Sequence, residues 1–383
     1  MRVCLLLAFV FSACKPTSSA AVATPDLAQP VVVVAPPPPP PRYARNPQPR
    51  IDVHTHIEVG ALPRAIKLTG DEGIVHIINL SGGTPAGLRE TLGEAKALGH
   101  TSVFTNPDFR EIGRGPGWGT RMAVKIKQGA AMGAIGVKIS KGLGLGYEDA
   151  PNHLLAVDDK SLDPVFEEAG RLGLPIAIHT GDPKAFWQRP DASNERFDEL
   201  RVHPRWSFFG YPVSWEDLYA QFERRVARHP KTRFIGVHFG NDPEDPARVA
   251  VMLDKHKNLY IDTAARVPEI GRMDAHHEPI KMRAFFERYQ DRILFGTDLG
   301  VGAEDLMLGS TGETPPTQAD VVRFFDSTWR WFETEGQIPS PTPVQGRWDV
   351  FGIALPSPIL KKVYCTNAVA LLHLDPSLCV VKP

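Results

Sequence analysis

Ile51-Asp52-Val53-His54-Thr55-His56-Ile57 follows a proline-rich stretch and alternates apolar or β-branched residues with polar ones, the pattern of a β-strand. Side chains alternate faces along a strand, so His54 and His56 point the same way, one pleat apart. Two imidazoles so placed can hold one metal ion between them. An H-x-H is short and common by chance, and taken alone it reads as a pair of surface or core histidines. What stands downstream decides between the two.

From residue 51 onward, strand-like and helix-like runs alternate. Further strands are expected at 74–79, 101–106, 134–139, 174–179, 232–238, 258–262 and 292–297. Helices are expected at 86–98, 121–132, 161–172, 214–229, 244–256, 278–290, 319–335 and 367–373, with Ser214 and Asp217 forming a capping box. Eight apolar strands with helices between them imply a parallel sheet covered by helices. Eight is also the number that closes a (β/α)8 TIM-like barrel, and a doubly wound open sheet is the alternative. The folded part exceeds the ~250 residues of a minimal barrel, so insertions are expected.

Polar residues recur late in these strands. Lys138 lies in the fourth, His179 ends the fifth, His238 the sixth and Asp298 the eighth. The C-terminal strand ends of a barrel converge on one mouth, where active sites lie. For each histidine alone a hydrogen-bonded structural role is the better reading. For the ordered set, a metal site is.

This set resembles the amidohydrolase superfamily of metal-dependent β/α barrels, and more narrowly its amidohydrolase-related branch of hydrolases, lactonases and non-oxidative decarboxylases. The resemblance extends from Ile51 to about Leu374 and includes Asn367-Ala368. It implies that His54, His56, His179 and Asp298 bind a divalent ion, most readily Zn2+. Asp298 would also take the proton of the attacking water, and His238 would serve as acid/base or stabilise developing charge. In some superfamily members a strand-four lysine is carbamylated and bridges two metals. Lys138 is therefore a second-metal bridge or a substrate contact, with one ion per subunit expected and two if it is carbamylated. The implied reaction is metal-assisted hydrolysis of an ester, lactone or amide of a small substrate. The alternatives are a non-oxidative decarboxylase of the same branch, and a cell-envelope binding protein that has lost catalysis. The complete ligand set argues against the last.

Long loops at 108–120 and 182–212 follow strands three and five and would overhang the mouth. They are rich in Arg and aromatics, which suits a planar or carboxylate-bearing substrate. Trp187 and Arg189, with Arg266 after strand seven, are the candidate substrate contacts. The competing reading is self-packing of the loops, with their arginines in solvent or in exposed ion pairs. His76 is expected in the core and Asp52 in support of His54. His276-His277 is expected at the surface, Gly142 to Gly146 as a flexible loop, and Trp329 and Trp331 as packing a helix on the barrel.

The remaining sequence sets compartment and partners. With 42% apolar residues, 23% charged and a net charge of −1, no basic field points to nucleic acid. Val3 to Phe11 is an apolar run too short to span a bilayer. Phe11-Ser12-Ala13-Cys14 resembles a bacterial lipoprotein signal. Residues 1–13 are then a signal segment and Cys14 the lipidated residue; an ordinary secretory signal is the fallback. Residues 14–50, with six prolines from Pro36 to Pro41, read as a disordered Pro-rich tether, and 51–383 as the barrel domain. The expected protein is an exported envelope lipoprotein on the periplasmic or outer-membrane face, or otherwise secreted. It would touch membrane only through its anchor and act on a small molecule. Cys365 and Cys379 pair in an oxidising compartment or stay as two buried thiols.

Overall fold

The computed structural model describes residues 42–381. The expected signal segment, Cys14 and most of the tether lie outside the described residues. Eight short parallel strands form the centre: β1 Arg50–Ile57, β2 Ile74–Asn79, β3 Thr101–Val103, β4 Val137–Ile139, β5 Ile176–Ile178, β6 Phe234–Gly236, β7 Leu259–Asp262 and β8 Ile293–Leu294. Pairing runs β1-β2-β3 and β4-β5-β6-β7-β8. Two seams join these runs. Thr105 N donates to Gly136 O and Lys138 N to Thr105 O, both at 2.9 Å, which ties β3 to β4. Val53 N donates to Phe295 O at 3.0 Å, which ties β8 back to β1. The ring is closed, and the barrel expected from the sequence is what forms.

Helices cover the ring. Among them Pro85–Leu98, Trp118–Met132, Asp163–Arg171 and Trp215–Arg228 put apolar faces on the outside of the sheet. Ser214 caps the last of these, accepting from Asp217 N at 3.1 Å. Trp329 and Trp331 of helix Gln318–Glu333 are fully buried. Inside the ring, Ile51, Val53, Ile78, Phe104, Ile235 and Leu294 pack on the C-terminal helix Asn367–Leu372. That helix is fixed by Asn367 Nδ2, which donates to Ile293 O at 2.8 Å, so it plugs the end where the strands begin. No described helix is long and apolar enough to cross a membrane.

Three expectations are corrected. The tether does not run to residue 50: Tyr43 N donates to Asp326, Asn46 N to Glu333 at 2.6 Å, and Arg50 is buried against Glu333 at 2.7 Å. Prolines 47 and 49 belong to a docked strap, not to a free linker. His277 is not at the surface. It is fully buried, with Nε2 2.8 Å from Pro243 O. The eighth strand is not continuous to Thr297. It stops at Leu294, and a second segment, Leu299–Val301, resumes beside β1 and turns back through Leu306–Leu308.

Cys365 and Cys379 are joined as a disulfide, with Cα atoms 5.7 Å apart, bracing the C-terminal plug. The chain it closes spans 14 residues of separation. Reduction is expected to lower unfolding stability by about 3 kcal/mol, the chain-entropy value for a loop of this size. The measurement is the denaturant midpoint with and without reductant; coincident midpoints would contradict it.

Candidate metal centre

Six of the residues singled out in the sequence meet at the C-terminal mouth. Asp298 Oδ1 lies 3.3 Å from His54 Nε2 and 3.3 Å from His56 Nε2. Lys138 Nζ is 3.4 Å from His54 Nε2. The His238 ring stands 4.9 Å from that of His54 and 4.3 Å from that of His179, centre to centre. Among the described residues, His54, His238 and Asp298 form a group whose ligand atoms all lie within 4.8 Å of one another. The tightest set therefore includes His238, which the sequence cast as proton carrier. His56 reaches it through Asp298, and His179 through His238. His179 Nε2 is buried, 3.4 Å from Asp182 Oδ1 without the alignment of a hydrogen bond, and has no other partner.

Local backbone explains the convergence. β1 carries one extra residue relative to β2 between Asp52 and Thr55, a bulge of the kind that re-aims side chains next to sites. Beyond it the pairing is regular, and His54 and His56 share a face with rings 5.3 Å apart. Gly296 admits this approach: a Cβ there would stand 3.0 Å from His54 Cβ. Asp298 has φ 61°, so the chain kinks between the two halves of the eighth strand. After β6 four consecutive residues, His238, Phe239, Gly240 and Asn241, have φ 54°, 59°, 71° and 64°. A left-handed turn of this kind costs roughly 1–2 kcal/mol for each non-glycine residue. Such strain persists only where neighbours over-determine it. Here Asn241 Oδ1 accepts from Thr180 N at 2.8 Å, and the His238 ring bonds Ala264 O through Nδ1 at 2.9 Å.

Burial sets the charges. It pushes the His54 imidazole down, helped by Lys138 and opposed by Asp262 and Asp298. It pushes His179 down to about 4 and His238 well below the usual range, the latter with help from His179 and Arg266. Burial alone would raise Asp298, but His54, His56 and Lys138 hold its carboxyl well below the ordinary value. Lys138 is lowered to about 8 by burial, against the pull of Asp262 and Asp298. His54, His179 and His238 are thus neutral imidazoles beside an ionised carboxylate, the protonation state a metal requires. This donor chemistry, together with the unsatisfied buried nitrogen of His179, fits a divalent metal ion.

Asp262, Ser81 and Asp182, which the sequence did not single out as partners, hold the ligands in place, as does Asp52 beside His54. Asp262 Oδ2 is 2.9 Å from His54 Nδ1, and Ser81 Oγ is 2.6 Å from His56 Nδ1. Asp182 sits between Lys141, at 2.5 Å, and His179. Asp52, raised to about 7 by burial, bonds Thr297 Oγ1 and accepts from His54 N at 3.0 Å. Of the candidate substrate contacts, Arg266 is 6% exposed, and its Nε has no partner. Trp187 is committed to its own loop, donating to Val213 O at 2.9 Å and packing on Phe208 at 4.7 Å. Arg189 lies largely in solvent over Phe209. The loop after β5 is anchored by Arg196, fully buried between Glu199 and Glu269. Self-packing therefore describes this insertion.

A family model described as amidohydrolase matches residues 109–374, more than half of the chain. His54 and His56 lie ahead of the matched span. No curated protein matches the chain. Among solved structures, a Staphylococcus aureus protein provisionally assigned to the amidohydrolases superposes with a TM-score of 0.52 at 15% identity, covering 85% of this chain and 100% of that one. 2,6-Dihydroxybenzoate decarboxylase from Rhizobium superposes with a TM-score of 0.50 at 14% identity, covering 86% of this chain and 99% of that one. At these identities the likeness is one of fold.

Proposed function

The chain belongs to the amidohydrolase family, and on that premise we propose that it is a metal-dependent hydrolase cleaving an ester, lactone or amide of a small, carboxylate-bearing substrate. One observation carries the reading: His54 Nε2 and His56 Nε2 both face Asp298 Oδ1 at 3.3 Å, with the neutral His238 beside them. His54, His56, His179 and Asp298 would hold one Zn2+. Bound there, the ion would bring the pKa of a water down to ~7 and polarise a carbonyl oxygen. Asp298, kept ionised by its neighbours, takes the water proton. His238 carries its proton on Nδ1, because that atom faces the Ala264 carbonyl. Its Nε2 lone pair is then free to receive a proton and to pass it to the leaving group. Arg266, buried with an unpartnered Nε and acting electrostatically on His238, supports recognition of a carboxylate. Export as an envelope lipoprotein through Cys14 belongs to the same proposal.

The buried cations Arg266 and Lys138 would also suit a carboxylate that leaves, which is the observation favouring a decarboxylase as the second reading. One experiment separates the two: turnover of a panel of lactones, esters, amides and aryl carboxylates in 18O-water by the metal-loaded protein. Hydrolysis is expected to place label in the product acid. Carbon dioxide release with no label in the organic product would transfer the assignment to the lyase, and a metal-loaded protein inert to the panel would count for a binding role.

A further inference from the structure

Asp262 ends β7 with its side chain almost wholly buried, and each of its oxygens is spent on a different site histidine. Oδ2 is 2.9 Å from His54 Nδ1. Oδ1 accepts from His238 N at 2.8 Å and from Ala264 N at 3.2 Å. We propose that Asp262 is a positioning residue that sets the tautomer of His54 and, with the same carboxylate, holds the left-handed turn that carries His238.

Asp262 Oδ2 makes a hydrogen bond with His54 Nδ1 at 2.9 Å, whereas Asp298 Oδ1, 3.3 Å from Nε2, makes none, so Nδ1 is the nitrogen that carries the proton. His54 therefore bears hydrogen on Nδ1 and a lone pair on Nε2. That lone pair points inward, where Lys138 Nζ approaches to 3.4 Å and Asp298 Oδ1 lies at 3.3 Å. The opposite tautomer would put a hydrogen where an ion must bind. On the other oxygen, His238 N is the first amide of the left-handed turn, whose strain needs contacts on every side to persist. Asn241 fastens the far end of that turn to Thr180, and Asp262 fastens the near end. One carboxylate thus couples the ring orientation on β1 to the backbone after β6. The inference rests on the reading of His54 as a ligand through Nε2.

The test is Asp262→Asn, which is close to isosteric. Its amide oxygen can still accept from His238 N and Ala264 N, while its NH2 faces His54 Nδ1 and donates to it. The imidazole proton then moves to Nε2. Wild-type and variant full-length proteins, stripped with a chelator, are titrated with Zn2+ alone, and their metal-free melting temperatures are compared. Affinity is expected to fall by about 10- to 100-fold, the range for such supporting partners, with the metal-free melting temperature near that of wild type. Equal affinity overturns the positioning role and leaves the metal reading intact. A wild-type protein that takes up no Zn2+ overturns both. Should Asp262→Asn fail to fold, 15N NMR of histidine-labelled metal-free wild type decides directly. His54 protonated on Nδ1 supports the inference, and protonation on Nε2 overturns it.

Discussion

Exchanging Asp298 for Asn is expected to cut turnover by about 10^2- to 10^4-fold, the contribution of a positioned acid–base group, and to lower bound metal with it. The substitution is clean for a structural reason. Residue 298 has φ 61°, a conformation that Asn tolerates as well as Asp and that alanine would resist. The kink between Leu294 and Leu299 therefore survives, as does the Asp298 N bond to His54 O at 2.9 Å. What changes is charge. The carboxylate is held ionised, despite its burial, by His54, His56 and Lys138. An amide in its place offers those groups neither a negative charge nor a base for the water proton. Metal content by mass spectrometry and rates on the substrate panel give the readout. Undiminished rates in the Asp298→Asn variant would remove Asp298 from the chemistry.

The parts legible in the sequence were those that obey a local period. Strand alternation put His54 and His56 on one face, and each of His179, His238 and Asp298 closes a short apolar run before a turn. What escaped was long-range or broke the period. The bond from His54 to Asp262 spans 208 residues, and nothing near either residue announces the other. Ser81 and Asp182 act through rings that the sequence identified, but neither has a pattern of its own. The turn at 238–241 did carry a signal, since Phe239-Gly240-Asn241 ends in residues that accept positive φ. A left-handed run that also includes His238 and Phe239 is held by tertiary bonds that propensity cannot see. Composition misled at the N-terminus, where Pro47 and Pro49 suggested a linker and the decisive partners lie near residue 330.

Those partners lead to the second large effect. Arg50 and Glu333 are both nearly inaccessible and meet at 2.7 Å at the closed end of the barrel. The guanidinium lies between Trp329 and Tyr364, 4.3 and 4.6 Å from their ring centres, and donates to Gln48 O and Asn46 O. Glu333 accepts in turn from Asn46 N at 2.6 Å and from Tyr364 Oη at 2.9 Å. The pair thus ties the docked strap 43–49, β1 and helix Gln318–Glu333 into one unit. A buried pair contributes little against an apolar substitute, but removing one partner strands the other. Arg50→Met is accordingly expected to cost about 3–5 kcal/mol of unfolding free energy. Arg50→Met combined with Glu333→Gln should recover part of that loss, because the amide oxygen can still accept from Asn46 N while its NH2 donates to Tyr364 Oη, without leaving a charge in the core. Chemical denaturation would therefore rank wild type first, the double variant second and Arg50→Met last. Zn2+ affinity should stay the same in all three, since the pair sits at the end of the barrel away from the mouth. A double variant less stable than Arg50→Met would show that the stranded charge of Glu333 is not the source of the loss.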